Sequence, residues 1–545
     1  MTHKHIGYLS IAGVNLDSVL FDTDKLSVTR GASFILKNAI ELIAHKYQQQ
    51  EGSKHYLSPL STGASEGLFE VKSLDTQSEL NDLATEVQSF LNRGNKSREN
   101  DLPTQYFSFI VAVTEETDYS LAKEQLITKT RMLQMQSFSL SPEMIPSEEK
   151  YKFTQTCQWS GIYPAQDSGS ELGNLAESVK ARRRIGKNQK RELFKNEFSL
   201  LAPNQYCDTI PDTDELEFAD LPISDDLESL AKIAKTELKG KIALFYADGN
   251  KFGKIQQYLL QECTTSESTK RAQRHFDDEV KKYRATFLQR LVEAIHTHYQ
   301  DVEDTANDFP LEVLMWGGDE FYFIVPAELG FKAVQTFYDI SKDWQIANPD
   351  TQTSPYKLTH AGGLVFCPAK TPLKVIQSLA HDLAEEVKST IGPDLEQQTN
   401  AFNVMALESI DYPTESLSEY WQHHYGERLG KIRLPLEPFR ENWFQLIASL
   451  KTLPKGQLYR LVHSAIEEWR HGTQSQHSFK EQLARLDETT TKDTNELEND
   501  LRSLFTLVQK DHEKSEENSS DFSFDILPWI YLIELWDYLP QEGEK

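Results

Sequence analysis

The chain has 545 residues, 39% hydrophobic and 10% aromatic, with 57 Lys and Arg against 84 Asp and Glu for a formal net charge of −27. That length accommodates three or four folded units of about 100–200 residues each, and aromatics spread along it exclude a largely disordered protein. So acidic a chain does not coat nucleic acid through its overall field, and any such contact needs a local basic surface. The four cysteines, Cys157, Cys207, Cys263 and Cys367, lie far apart with no CxxC pair, which argues against a disulfide framework and the usual zinc or redox spacing. The amino end, MTHKHIGYLSIAGVNLDSV, lacks the basic start, long apolar run and cleavage site of a signal peptide. The most apolar late stretch, 526–539, is too short to span a bilayer and reads as a buried terminal helix. A soluble cytoplasmic protein without a membrane partner is expected.

In residues 1–145, segment 6–13 reads as a strand, 32–47 as a helix, 56–71 as a hairpin, 74–91 as a helix and 106–113 as a strand. This is the ferredoxin-like plan, one antiparallel sheet with helices on one face. Residues 146–235 break the rhythm. They hold a basic run (Lys180, Arg182, Arg183, Arg184, Lys187, Lys190, Arg191, Lys195) and an acidic run from 212 to 226, and read as a loop-rich insert. The basic run is either an RNA-phosphate contact or a solvated helix face. Residues 236–405 repeat the first order: strand 242–247, helices at 255–260 and 272–299, a hairpin across 311–325, helix 331–344, strand 360–366 and helix 373–387. Residues 406–545 are helical, with Tyr459 expected in the core. The fold class is α+β, with two related units in tandem.

Two segments carry the chemistry. In 314–323, LMWGGDEFYF, apolar runs flank a tight Gly317-Gly318 turn followed by Asp319 and Glu320. In 243–253, ALFYADGNKFG, a strand ends in Asp248 and passes through Gly249, Asn250, Phe252 and Gly253 into a helix. In a ferredoxin-like sheet the first strand lies beside the hairpin strand, which sets Asp248 facing Asp319 at about 5 Å along the backbone. Three converging carboxylates repel one another unless a cation sits among them. Mg²⁺ or Mn²⁺, completed by substrate phosphates, suits oxygen donors, and amides at the helix start suit a phosphate. Two such ions activate an attacking hydroxyl and stabilise departing pyrophosphate. The bland alternative is an ordinary hairpin with acids in its turn.

Gly317 to Phe321 spells GGDEF, and 246–255, YADGNKFGKI, resembles the first metal-binding strand of the nucleotide-cyclase palm superfamily. The resemblance implies a triphosphate contact at Lys388, whose residue-level alternative is a solvated helix lysine. It argues against a diguanylate cyclase: Gln256 stands where those enzymes place a guanine-reading asparagine, and Asp308 and Leu311 occupy the two defining places of their product-inhibition RxxD. Residues 22–33, DTDKLSVTRGAS, resemble the opening of the large subunit of type III CRISPR effector complexes (Csm/Cmr type). Residues 157–165 resemble its zinc-ribbon region with the second cysteine replaced by Ser160, and 453–461, LPKGQLYRL, its carboxy-terminal helical domain.

That family implies two tandem ferredoxin-like palm domains, 1–145 and 236–405, an insert at 146–235 and a C-terminal helical domain at 406–545. The second palm is expected to condense ATP into cyclic oligoadenylate, or a related adenylate messenger, when target RNA is bound. Asp248, Asp319 and Glu320 are the expected catalytic and metal residues, with two Mg²⁺ or Mn²⁺ ions. Gly249, Asn250, Phe252, Gly253, Gly317, Gly318 and Lys388 are expected around the nucleotide. Guide RNA, target RNA and other effector subunits are the implied partners. The family usually writes a second aspartate where Glu320 stands. The first palm, with Ser61-Thr62-Gly63-Ala64-Ser65 in its hairpin, is expected to be structural and to wall the nucleotide pocket. No structural zinc is expected at Cys157, and no HD-type nuclease, since His381-Asp382 lacks partner histidines. Two alternatives remain: a catalytically inactive RNA-binding scaffold of such a complex, and a diguanylate cyclase.

Overall fold

The computed structural model describes residues 5–48, 56–63, 65–72, 77–96, 101–137, 156–165, 173–201, 226–235, 237–299, 309–351, 353–408, 413, 416–426, 434–470, 477–489, 494–508 and 521–540. Cys207 and most of the acidic run lie outside them.

Strand β1 (His5–Val14), the hairpin β2 (Tyr56–Thr62) and β3 (Glu66–Lys72), and β4 (Ser108–Thr114) form an antiparallel sheet in the order β2-β3-β1-β4. β1 is central because its alternate residues are apolar on both faces. Leu9 and Ile11 share a core with Ile35 and Ile40 of α1 (Leu26–Lys46) and Leu83 and Val87 of α2 (Gln77–Arg93). Tyr8, Leu60 and Ala112 pack with Tyr119, Ala122 and Leu126 of α3 (Tyr119–Met135). Helices therefore cover both faces of this sheet, where the sequence led us to expect one. The buried stripe of α3 is only those three residues wide, too sparse to stand out as helical periodicity.

Between the two sheets in sequence, the described residues form helices α4 (Glu177–Asn188) and α5 (Lys190–Phe198) where loops were expected. α4 crosses α1 at two glycines. A Cβ on Gly31 would lie 1.8 Å from the Arg182 carbonyl oxygen, and one on Gly186 1.9 Å from that of Ser27, so only bare backbone fits. Arg182 of the basic run is fully buried and forks onto Asp22 at 2.8 and 2.6 Å. Lys190, also buried, lies 3.6 Å from Glu312, which accepts from Arg30 as well. Glu197 of α5 has no exposure and accepts from Lys37 of α1 at 2.5 Å and from Arg284 at 2.7 and 2.9 Å. Half of this positive cluster thus faces inward or sideways, and Arg184, Lys187, Arg191 and Lys195 are its exposed members. Cys157 is buried with Val28, Tyr163, Leu175 and Val179, packed as an apolar side chain.

The second sheet comprises β5 (Lys241–Gly249), the hairpin β6 (Glu312–Gly317) and β7 (Glu320–Pro326), β8 (His360–Pro368) and β9 (Ala401–Ala406). Its order is β9-β8-β5-β7-β6, antiparallel except for β8 and β9. Around it lie α6 (Phe252–Gln261), α7 (Ser266–His298), α8 (Gly330–Ser341) and α9 (Leu373–Ile391). Thr265 and Ser268 close a reciprocal cap at the start of α7. Ala243, Phe245 and Ala247 of β5 share a core with Phe287 of α7 and Phe337 of α8, while Ile242, Leu244 and Tyr246 join Ile376, Leu379 and Leu383 of α9. Burial on both faces explains the unbroken apolar run.

The remaining described helices include α10 (Trp443–Leu450), α11 (Lys455–Arg470), α12 (His477–Thr489), α13 (Thr494–Leu504) and α14 (Asp521–Leu535). They join the palm where Leu436 bridges Phe402 of β9 and where Tyr538 stacks 4.4 Å from Phe366. Residues 526–535 of α14 are largely buried, as expected. Tyr459 is not in the core: it is 57% exposed on α11 and stacks on His463, because Leu458, Leu461 and Val462 take the inward face. Among the described residues no helix is long and apolar enough to cross a membrane.

Candidate active site

β5 and β7 pair with Tyr246 opposite Tyr322 and Ala247 opposite Phe321, which brings Asp248 level with Glu320 at the open end of the sheet, and not with Asp319 as expected, since Asp319 lies in the turn. The two-residue period sets Tyr246, Asp248, Glu320 and Tyr322 on the face covered by α9. Gly317 pairs with Glu320, so the hairpin turn is Gly318-Asp319, with Gly318 in the left-handed region at φ +58°. The turn expected at Gly317-Gly318 is displaced by one residue: Gly317 belongs to the ladder, Asp319 to the turn, and Glu320 opens β7. A Cβ on Gly249 would lie 2.6 Å from Asp319 Oδ2. The bare backbone of Gly249 is what lets Asp319 fold against the end of β5, so the two sequence motifs do meet.

Lys388 of α9 donates to Asp248 and, at 2.7 Å, to Glu385 one turn earlier. Burial lowers the pKa of this ammonium, but Asp248 and Glu385 outweigh it and hold it above its ordinary value. The Asp319 carboxyl is pushed up to about 7, first by burial and then by the charge of Asp248. Glu320 is raised by the same two causes in the same order. Tyr246 donates to Glu320 Oε1 at 2.8 Å, and burial followed by the Glu320 charge raises its hydroxyl. Two carboxyls raised by burial and charge, and an ammonium lodged on the third, mark an oxygen donor set that takes up positive charge. Its all-oxygen character fits Mg²⁺ or Mn²⁺. Among the described residues no group of three or more His, Cys, Asp or Glu side chains has converged to ligating geometry; Lys388 and Tyr246 stand among the carboxylates.

In the 249–253 loop, the Asn250 amide donates to Thr359 O at 2.8 Å, and its side chain to Thr359 Oγ1 and Thr399 O at 3.1 Å each. Asn250 thus ties the loop to the approach of β8. Lys251 takes φ +58° to turn the chain into α6. Phe252 is 6% exposed and packs against Phe276 and His360. Gly253 is exposed with open space where a Cβ would stand, beside first-turn amides that have no intrahelical acceptor. His360 enters β8 opposite Gly249 with no exposure and neither ring nitrogen hydrogen-bonded; burial pushes its pKa down to about 3.

The unit built on the first sheet reaches this region through Lys123 of α3, which donates to Gln256 at 2.6 Å and Gln273 at 3.0 Å. Burial pushes Lys123 down to about 8. In the β2–β3 hairpin of the first sheet, Ser61 Oγ donates to Asp277 of α7 at 2.9 Å, and Lys281 donates to Thr62 at 2.5 Å and Asp277 at 2.6 Å. The described part of the turn is docked onto α7. His381 and Asp382 are both about half exposed and 3.6 Å apart on α9.

Tyr246, Glu385 and Lys123 were not singled out from the sequence. Alternation places Tyr246 on the Asp248 face two residues earlier, and helical spacing places Glu385 beside Lys388; nothing local pointed to Lys123.

Residues 241–394 match the family model described as Cas10/Cmr2, second palm domain. In this segment the chain is similar to a Cas10/Cmr2 second palm domain. The resemblance to the large palm-domain subunit of type III effectors is thereby met in the segment that holds all three carboxylates and Lys388. Among solved structures, the fold is similar to Csm1 in T. onnurineus at 12% identity, covering 99% of this chain and 70% of that one with a TM-score of 0.45. It is also similar to a Csm1–Csm4 cassette in complex with cA4 (12% identity, 98% and 70% covered, TM-score 0.46). A third is a Csm1–Csm4 cassette in complex with one ATP (13% identity, 92% and 68% covered, TM-score 0.45). No curated protein matches.

Proposed function

We propose that the Cas10/Cmr2 palm of this chain is a metal-dependent nucleotidyltransferase that condenses ATP into a cyclic oligoadenylate or related adenylate messenger in CRISPR-type antiviral defence. The observation that carries the reading is the meeting of Asp248, Asp319 and Glu320 at one sheet end, beside Lys388 and an open helix start. Asp248 and Asp319 would hold the ions, and Glu320 would ligate or take the proton of the attacking 3′-hydroxyl. Bound Mg²⁺ or Mn²⁺ supplies charge neutralisation at the triphosphate. The hydroxyl oxygen bonds to the α-phosphorus of a second nucleotide as the bond to pyrophosphate breaks; Lys388 and the Phe252 and Gly253 amides steady the departing phosphates. Lys388 turns from Asp248 to do so. The named relatives bind cA4 and one ATP, which agrees with an adenylate product. Gln256, held by Lys123, agrees poorly with a guanine-reading role.

Guide and target RNA and further effector subunits are proposed partners in the cytoplasm. RNA phosphates would meet the exposed Arg184, Lys187, Arg191 and Lys195. A scaffold without catalysis is favoured by one observation, the ammonium of Lys388 already neutralising Asp248. The readings separate when purified protein is incubated with ATP and Mn²⁺, alone and with target RNA and partner subunits, and products are identified by mass spectrometry. An adenylate oligomer that disappears in Asp319→Ala supports the enzyme. RNA binding with no condensation of any nucleotide supports the scaffold, and a strong preference for GTP supports a diguanylate cyclase.

A further inference from the structure

We propose that Tyr246 is a positioning residue that fixes the Glu320 carboxylate, and that glutamate stands at 320 because only the longer acid reaches the Tyr246 hydroxyl. The inference rests on the metal-dependent reading of the same site. Tyr246 faces Tyr322 across the β5–β7 ladder, which makes Glu320 its diagonal neighbour on the same face. Long and aromatic side chains span that diagonal. The hydroxyl donates to Glu320 Oε1 at 2.8 Å.

The ring that delivers this hydroxyl is held on both sides. Tyr246 is 1% exposed and stacks on Tyr322, with centroids 4.2 Å apart and 28° between planes. Tyr322 in turn donates to the Gln377 carbonyl of α9 at 3.3 Å, and the His381 ring lies 5.5 Å from that of Tyr246. With Oε1 engaged, Glu320 is restrained to offer Oε2 to the space it shares with Asp248 and Asp319. An aspartate at 320 ends about 1.5 Å short, the length of one C–C bond. Added to the present contact of 2.8 Å, that exceeds hydrogen-bonding distance. The phenol would then be left buried without its acceptor. The departure from the family's second aspartate and the tyrosine two residues before Asp248 are, on this view, two halves of one feature.

The test uses the full chain with Mn²⁺ as probe and no nucleotide. Calorimetry gives the Mn²⁺ dissociation constant for wild type, Tyr246→Phe, Glu320→Asp and the double variant, and thermal unfolding without Mn²⁺ gives a second readout. Each single substitution is expected to weaken Mn²⁺ binding by about ten- to a hundredfold, the worth of one hydrogen bond to a charged group. The double variant is expected to bind no more weakly than Glu320→Asp, and to melt above it because no phenol is left unsatisfied. Effects that multiply in the double variant overturn the proposal, as does a Tyr246→Phe variant equal to wild type in both readouts. A wild-type chain that takes up no Mn²⁺ counts against the metal-dependent function and against positioning for metal. In that case non-additive melting temperatures uphold the Tyr246–Glu320 tie alone, and additive ones overturn it as well.

Discussion

Lys388 and Asp248 meet as ammonium and carboxylate, from helix α9 and the end of strand β5, at the mouth of the second sheet. A cation held by this carboxylate competes with any other that arrives there. Replacing Lys388 with Met is expected to tighten Mn²⁺ binding about tenfold in the absence of nucleotide, since a like charge is removed from the ion's neighbourhood. The same variant is expected to lose about 10²–10³-fold in ATP condensation, because the departing phosphates lose their charge partner. Calorimetry with Mn²⁺ and product analysis with ATP measure the two effects separately.

His360 gives the fold a defined acid sensitivity. Its pKa falls from 6.5 to about 3 on burial. Between those values the unfolded chain binds a proton that the native state refuses, so stability is retained above pH 6.5 and lost as pH falls from 6.5 towards 3. The loss at this residue is on the order of 4 kcal/mol. Denaturant unfolding of His360→Phe is expected to show a shallower decline over that range, with little change above pH 7.

Glu197 ties α5 to α1 and α7 through Lys37 and Arg284 without solvent access. Glu197→Gln leaves two cations buried without their countercharge and is expected to cost about 3–5 kcal/mol in denaturant unfolding. By contrast, alanine at Arg184, Lys187, Arg191 and Lys195 together is expected to shift stability by about 1 kcal/mol at most, these being exposed positions. That fourfold variant is expected to reduce the salt dependence of RNA binding by about one phosphate contact per lysine or arginine engaged, read by titration at several salt concentrations.

The α1–α4 crossing supplies a packing test. A methyl on Gly31 would sit 1.8 Å from the Arg182 carbonyl oxygen. Gly31→Ala is expected to destabilise by about 1–3 kcal/mol or more, whereas Gly253→Ala, whose Cβ would meet nothing on a helical backbone, is expected to stabilise by a few tenths of a kcal/mol.

Several of these relationships were legible before any coordinates. The apolar run of β5 ending in Asp248 and the glycines at 317 and 318 announced the strand, the hairpin and the three acids, because an apolar run and turn chemistry are written in adjacent residues. The assignment of the turn slipped by one because either glycine satisfies a tight turn, and only the ladder decides that Gly317 pairs with Glu320. Helix α3 escaped notice because its apolar stripe is narrow, and Tyr459 was misplaced because its neighbours Leu458, Leu461 and Val462 fill the inward face. Contacts such as Lys123 with Gln256, or Arg182 with Asp22, join residues more than a hundred positions apart, and no local pattern encodes them. Basic residues in a run look alike in sequence whether they fork onto a buried aspartate or face solvent.

The central claim is that Asp248, Asp319 and Glu320 together hold a divalent ion against a nucleotide triphosphate. Crystals of the full chain grown with Mn²⁺ and a non-hydrolysable ATP analogue, measured at the manganese absorption edge, test it directly. The account predicts an anomalous peak among these carboxylates with Lys388 turned from Asp248 towards the phosphates. Nucleotide bound elsewhere, or bound here with no manganese signal and Lys388 still on Asp248, would contradict it.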